Sequence, residues 1–256
     1  MNVTRDKKLK KLMDKWPSGK VATSTWLRDM GISGSLTQEY LQNEWIESIG
    51  KGAYKKTQDQ VRWYGGLASI QNQLKKDVHL GGPTALSVKG TSHYIRFGKE
   101  RIFIFHEHKV KLPKWFINYD WSQKIESVGT SVFPKELGLK AMHYQGFEIN
   151  ASGPERAILE CIYLAPKKFD LLESYQLLES LRILQPGIMQ SLLEKCRSIR
   201  VKRLFLYMAS KANLPVLDHM ELNNVNLGTG DRVIVKNGVY NSEYRISIPI
   251  ELAAYD

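Results

Sequence analysis

Within its first sixty residues the chain sets three short helical runs, a tight glycine turn and a lysine-bearing hairpin in unbroken succession, and few folds accept that order. Thr4 is placed to cap a first helix running to about Trp16, with Leu9, Leu12, Met13 and Trp16 at helical spacing. Pro17-Ser18-Gly19 stops it, and Val21-Ala22 reads as a short extended piece. Thr23, Ser24 and Thr25 offer caps for a second helix from Trp26 to Met30, and Gly31 is the natural residue just past its end. Ile32, the apolar residue of the turn that follows, should point inward. A third helix from about Ser35 to Gln42 buries Leu36, Tyr40 and Leu41 and leaves Ser35, Thr37, Gln38 and Gln42 outward. Trp45–Ile49 then reads as a strand, Gly50-Lys51-Gly52 as a turn and Ala53–Lys56 as the returning strand, a hairpin in the position of a wing.

That order predicts a winged helix-turn-helix domain over residues 1–60 that binds double-stranded DNA. The third helix would enter a major groove about 12 Å wide and present short polar side chains to base edges. Gln38 is the leading base reader, because a glutamine amide can bond adenine through both of its ends. Gln42 and Asn43 come second, near the helix end. Thr23, Ser24, Thr25 and Arg28, at the start of the second helix, suit backbone phosphates, as do Lys51, Lys55 and Lys56 of the hairpin. Each residue has an ordinary alternative: hydroxyls near helix starts cap, exposed glutamines are solvated, and hairpin lysines protect sheet edges. It is the combination, in this order, that carries the reading.

Charge points the same way. The formal net charge is +11. Residues 1–64 hold 12 Lys/Arg against 7 Asp/Glu, whereas the other 192 hold 25 against 19, so the first quarter carries nearly half of the excess. A polyanionic partner at the N-terminal end accounts for that gradient. The two cysteines, Cys161 and Cys196, sit in apolar or helical surroundings and read as small buried hydrophobes. No signal-peptide core opens the chain and no apolar run nears the ~20 residues that cross a bilayer, so a cytoplasmic protein without a membrane partner is expected.

From residue 61 onward a larger mixed α/β domain is expected, giving an α+β chain overall. It reads as strand-rich over 78–149, helix-rich over 152–215 and closed by a hairpin within 231–250. Val61–Lys76 has one apolar helical face, and its Gly65-Gly66 pair suggests a close packing contact. Thr84–Val88, His93–Phe97, Arg101–Phe105 and Val128–Phe133 look like strands. Gly81-Gly82-Pro83 lacks the Gly-Lys-Ser/Thr ending of a phosphate loop and reads as a plain turn. Ser152-Gly153-Pro154-Glu155 opens a helix as a capping box, with Ser152 the cap and Arg156–Leu164 the helix body. Further helices are expected over Phe169–Leu184, from Ile188, and on to Lys211. Arg232–Lys236, Asn237-Gly238 and Val239-Tyr240 form the closing hairpin signal. Lys195, Arg197, Arg200, Lys202 and Arg203 concentrate five cations in nine residues, either a polyanion or partner surface or a solvated helix face.

Enzyme chemistry finds little support. Asp77 followed by Glu107-His108-Lys109 has the loose order of a metal-dependent nuclease, a pattern frequent by chance. His106-Glu107-His108 has no further ligand at convincing spacing and reads as two surface or strand-edge histidines. There is no Asp-x-Asp pair for nucleotidyl transfer and no Gly-x-Ser-x-Gly elbow. No enzymatic activity, cofactor or metal is therefore expected.

Several blocks of sequence resemble the AbiEi-family antitoxins. They include Trp26-Leu27 through Gly31-Ile32-Ser33, Trp45–Tyr54, Val78–Leu86, Leu112–Phe116, Ser152–Ala157, Ser198–Tyr207 and Arg232–Lys236, and together they span nearly the whole chain. The resemblance implies a bacterial abortive-infection antitoxin that represses its own operon through the winged helix and counteracts a nucleotidyltransferase toxin through its C-terminal domain. By that analogy Ser33, Ser35, Thr37, Gln38 and Lys51 would read the DNA. Repression at inverted repeats would place two copies on each operator site. The antitoxic surface would fall within 61–256, with the basic segment 195–203 as the candidate. The alternative is an ordinary winged-helix regulator whose C-terminal domain binds a protein or small effector.

Overall fold

The computed structural model describes residues 3–88, 90 and 101–255. Helix α1 (Val3–Lys15) starts one residue earlier than Thr4, which lies inside the helix and not at its cap. Strand β1 (Ala22–Thr23), helices α2 (Ser24–Asp29) and α3 (Gly34–Gln42) and strands β2 (Ile46–Gly50) and β3 (Ala53–Lys56) follow. The three strands form an antiparallel sheet in the order β1-β3-β2. Leu12, Trp16, Ala22, Leu27, Ile32, Leu36, Tyr40 and Ile46 make one buried cluster beneath these elements. Each fully buried large side chain of that set contributes on the order of 2 kcal/mol relative to exposure.

Helix α4 (Trp63–Asn72) is tied to this module by polar contacts as well as apolar ones. Ser69 Oγ donates to the Val21 carbonyl, and the Gln73 amide accepts from Thr23 N and Thr23 Oγ1, both at 2.9 Å. Gly65 and Gly66 explain why the helix tolerates two poor helix formers. A Cβ on Gly65 would run into the Gly19 carbonyl, and one on Gly66 would lie 2.9 Å from Trp121 and 3.0 Å from Phe116. The close contact expected of the pair is present.

The remaining elements are β4 (Val78–Leu80), α5 (Gly82–Val88), β5 (Arg101–His106), α6 (Lys114–Asn118), β6 (Lys124–Gly129), β7 (Leu139–Tyr144) and β8 (Phe147–Ser152). After them come α7 (Pro154–Leu164), α8 (Leu171–Ser180), α9 (Pro186–Lys195) and α10 (Ile199–Lys211). Strands β9 (Arg232–Val233), β10 (Val239–Asn241) and β11 (Ile246–Ile248) and helix α11 (Ile250–Ala254) complete the chain. Strands β4 to β8 are ordered β6-β5-β4-β8-β7, with β5 and β6 parallel from Arg101↔Lys124 to His106↔Gly129.

Packing divides the chain into two compact units. The first comprises Met1–Val78, Gly98–Gly129 and Ala141–Asn150, and the second His79–Phe97, Thr130–Lys140 and Ala151–Asp256. In the second unit α7 is central, with α5, α8, α9 and α10 all packed on it. Cys161 and Cys196 are both buried free thiols, as their surroundings suggested.

Several expectations for the second half need correction. Thr84–Val88 is helix and not strand: Gly82, at φ +53°, turns the chain, and Pro83 takes an early helical position where its missing N–H costs nothing. Packing of Ala85 and Leu86 in the core then overrides the local strand propensity. Of Val128–Phe133 only Val128 and Gly129 belong to a strand. His93–Phe97 lies outside the described residues. Gly153, not Ser152, occupies the cap of α7, and helix α8 is shorter than Phe169–Leu184, starting after Asp170, which caps it by accepting from Glu173 N at 2.8 Å, and ending at Ser180. In the closing sheet β11 sits between β10 and β9, so the hairpin is β10 with β11, and β9 joins it in parallel.

Candidate nucleic-acid interface

The turn between α2 and α3 is built by backbone chemistry that the sequence announces. Gly31 adopts φ +80°, its N–H donates to Arg28 O at 2.9 Å, and Ile32 N–H donates to Leu27 O at 2.9 Å. Those two bonds and the left-handed glycine make a Schellman ending, and Ile32 turns inward beside Leu27. Ser33 then caps α3, its Oγ accepting from Leu36 N at 3.2 Å and sharing a 2.9 Å hydrogen bond with Ser35 Oγ.

On α3 the helical period separates two faces. Leu36 and Tyr40 are buried, while Ser35, Gln38 and Gln42, at spacings of three and four, are exposed along one side. Asn43 Nδ2 donates to Glu39 O at 2.9 Å, so this amide is engaged at the helix end. Ser24, Arg28 and Lys51 are exposed and Thr25 is half-buried. The β2–β3 turn is held against α2, since Ser24 N–H donates to Gly52 O at 2.9 Å.

Two residues expected at the interface serve the fold instead. Thr37 is buried at 5% exposure, its hydroxyl donating to Ser33 O at 2.9 Å. Thr23 is buried at 1%, accepting from Trp26 N at 3.2 Å and donating to Gln73. A threonine in the first turn of a helix can bond its own backbone, and here that option prevails. The hairpin lysines divide. Lys55 pairs with Glu47 at 2.9 Å and Lys56 donates to Met13 O at 3.3 Å, both half-buried, which leaves Lys51 as the hairpin's exposed ammonium.

The C-terminal basic segment does not form the surface expected of it. Arg203, 2% exposed, donates to the carbonyls of Leu227, Gly228, Gly230 and Arg245 at 2.7–3.1 Å. Lys202, 3% exposed, donates to Asn226 O at 3.0 Å and Glu194 O at 3.5 Å. Arg200 donates to the carbonyls of Ala165 and Tyr163. Burial lowers the pKa of all three. Lys195 and Arg197 alone of the five are exposed. The segment fastens loops to α10, and the cations take the place of water at main-chain carbonyls, of which Arg245 O also accepts from Arg232 N at 2.9 Å.

A buried ionic cluster was not foreseen. Glu160, at 0% exposure, accepts from His79 Nε2 at 2.9 Å, Arg156 Nε at 2.9 Å, Ser152 Oγ at 2.7 Å and Gly82 N at 2.8 Å. Burial alone would raise its pKa, but the charges and hydrogen bonds of His79 and Arg156 prevail and hold it at about 2. Arg156 Nη1 continues to the carbonyls of Pro134 and Leu137 at 2.6 and 2.8 Å. The conspicuous sequences around Gly82-Pro83 and Ser152-Gly153-Pro154 thus meet at one carboxylate.

Glu107 pairs with Lys109 at 3.1 Å. His106 is buried rather than on the surface, with Nδ1 2.8 Å from Glu107 O and Nε2 2.7 Å from Ser127 Oγ. Among the described residues no three His, Cys, Asp or Glu side chains gather where a metal ion could be held. Among them too, no helix is long and apolar enough to cross a membrane.

Comparison with known proteins decides the family. Residues 99–249 match the model of the transcriptional regulator, AbiEi antitoxin, of type IV toxin–antitoxin systems, and residues 5–97 match the AbiEi antitoxin N-terminal domain. The chain belongs to the AbiEi antitoxin family. No curated protein matches it. Among solved structures, the crystal structure of the RV2827C protein from Mycobacterium tuberculosis is similar, with a TM-score of 0.63 at 15% identity, over 95% of this chain and 90% of that one. At that identity the likeness speaks for the fold alone. The AbiEi family is one of transcriptional regulators, which agrees with the sequence resemblance.

Proposed function

We propose that this AbiEi antitoxin represses its own operon by binding double-stranded operator DNA through a winged helix-turn-helix over residues 1–60, and counteracts a nucleotidyltransferase toxin. The observation that carries the DNA reading is the exposed row Ser35, Gln38 and Gln42 on α3, opposite a buried Leu36 and Tyr40 and accompanied by the exposed Lys51 of the wing. A helix with one face locked into its core and a polar row outside is suited to lie in a major groove. Gln38, in the middle of the row, takes the adenine-reading role; Ser33, Ser24, Thr25 and Arg28 take phosphates. On the antitoxin side, Lys195 and Arg197 are the members of the basic segment that a partner could meet. No catalytic residue is assigned.

The test is equilibrium binding to the DNA upstream of the gene, against a shuffled duplex of the same length, for wild type and Gln38→Ala/Lys51→Ala. Preference for the upstream duplex, lost in the double variant, is the expected outcome. Equal affinity of the wild type for both duplexes would overturn the autorepressor reading.

A further inference from the structure

α1 carries a charge pattern that its packing does not use. At about 100° per residue, Lys7, Lys8, Lys10, Lys11 and Lys15 fall within roughly 160° of the helix circumference. All five are exposed. The opposite face holds Leu9, Leu12, Met13 and Trp16, and Leu12 and Trp16 are each 1% exposed. Asp14 is the one carboxylate within the lysine arc. Lys7/Lys11 and Lys11/Lys15 stand four residues apart and Lys7/Lys10 and Lys8/Lys11 three apart, so like charges crowd the same side and destabilise the free helix. Nothing in the first unit's core requires that crowding, because the buried face alone fixes the helix.

The position of this face matters as much as its charge. Lys8 Nζ donates to the carbonyl of Gly31 at 3.5 Å, which sets the lysine face beside the turn that leads into α3. We propose that the lysine face of α1 is a second DNA contact, a sequence-independent clamp on the sugar-phosphate backbone next to the base pairs that α3 reads. The inference rests on the DNA-binding reading above and adds to it a surface outside the helix-turn-helix and wing. A phosphate chain is the partner such a row fits: it removes the lysine–lysine repulsion and releases condensed counterions as it binds. It also accounts for the N-terminal charge excess, since five of the 12 Lys/Arg among residues 1–64 stand on this one face.

The test uses the full chain, the upstream duplex and the shuffled duplex, with fluorescence anisotropy over a salt series. The triple variant Lys7→Gln/Lys10→Gln/Lys11→Gln keeps the buried face and comparable helix propensity, and its melting temperature serves as the folding control. Each phosphate contact adds about 0.9 to the slope of log K against log salt, so the slope should fall by about 2–3 on both duplexes with their affinity ratio unchanged. The corresponding triple arginine variant should retain the wild-type slope. Gln38→Ala should do the reverse of the glutamine triple, lowering the ratio at constant slope. A glutamine triple that is folded and has the wild-type slope overturns the clamp and leaves the α3 reading intact. A wild type that binds neither duplex overturns both.

Discussion

Glu160 receives four hydrogen bonds at full burial, and its charge is matched by Arg156 on the next turn of α7. Its carboxyl is held at about 2, below the ordinary value of 4.5, so the sign of its linkage is that of a depressed acid. Its contribution is complete above pH ~4.5 and is lost as pH falls toward 2, on the order of 3 kcal/mol over the window. Thermal unfolding followed from pH 7 down to 2.5 should therefore show a steeper loss for wild type than for Glu160→Gln, which begins less stable. Parallel curves would remove Glu160 as the acid-labile group. Neighbouring arginines give a second contrast. Arg203→Met strands the carbonyls of Leu227, Gly228 and Gly230, Arg245 O keeping its bond from Arg232 N, and should lower unfolding free energy by about 3 kcal/mol, whereas the exposed Arg197→Ala should stay within about 0.5 kcal/mol. Urea titration of the two variants reads the difference directly.

Among the elements, α4 offers a case where propensity and packing disagree in sign. Alanine is better than glycine in a helix interior by about 1 kcal/mol, yet a Cβ at residue 65 meets the Gly19 backbone, which has no side chain to move aside. Gly65→Ala should consequently destabilise the protein, by about 1–3 kcal/mol, and a raised melting temperature would show that the Gly19 segment yields. The glycine pair was readable as a close contact, and the Schellman turn at Gly31, the β2–β3 hairpin and the α3 faces were readable too. Each of those signals is contained within ten or so residues. What escaped was non-local. Nothing near His79 indicates a carboxylate 81 residues away, and nothing within 197–203 distinguishes a cation facing water from one facing a loop carbonyl. Thr37 and Thr23 failed for a related reason, because a hydroxyl on a short helix serves the backbone or a ligand equally well until the burial of its side is known. The Thr84–Val88 reading failed because a few β-formers after Gly-Gly-Pro say less than the packing of α5 on α7.

For the molecule as a whole, symmetry is the quantity to measure. If the operator consists of inverted repeats, its two-fold axis requires two chains per site, each laying one α3 in the groove. Native mass measurement of the complex on a duplex spanning both repeats should give two chains, and one chain on the intact site would contradict the symmetric arrangement. The inward turn of Arg200, Lys202 and Arg203 has its own consequence for genetics. A screen for toxin-insensitive or toxin-blind alleles would naturally target this most basic stretch, and substitutions there would score as strong hits. Those alleles would be depleted from the cell by proteolysis of an unfolded chain, not deaf to a partner. Immunoblot abundance would sort them, leaving changes at Lys195 and Arg197 as the ones whose phenotype, at normal protein level, speaks of recognition.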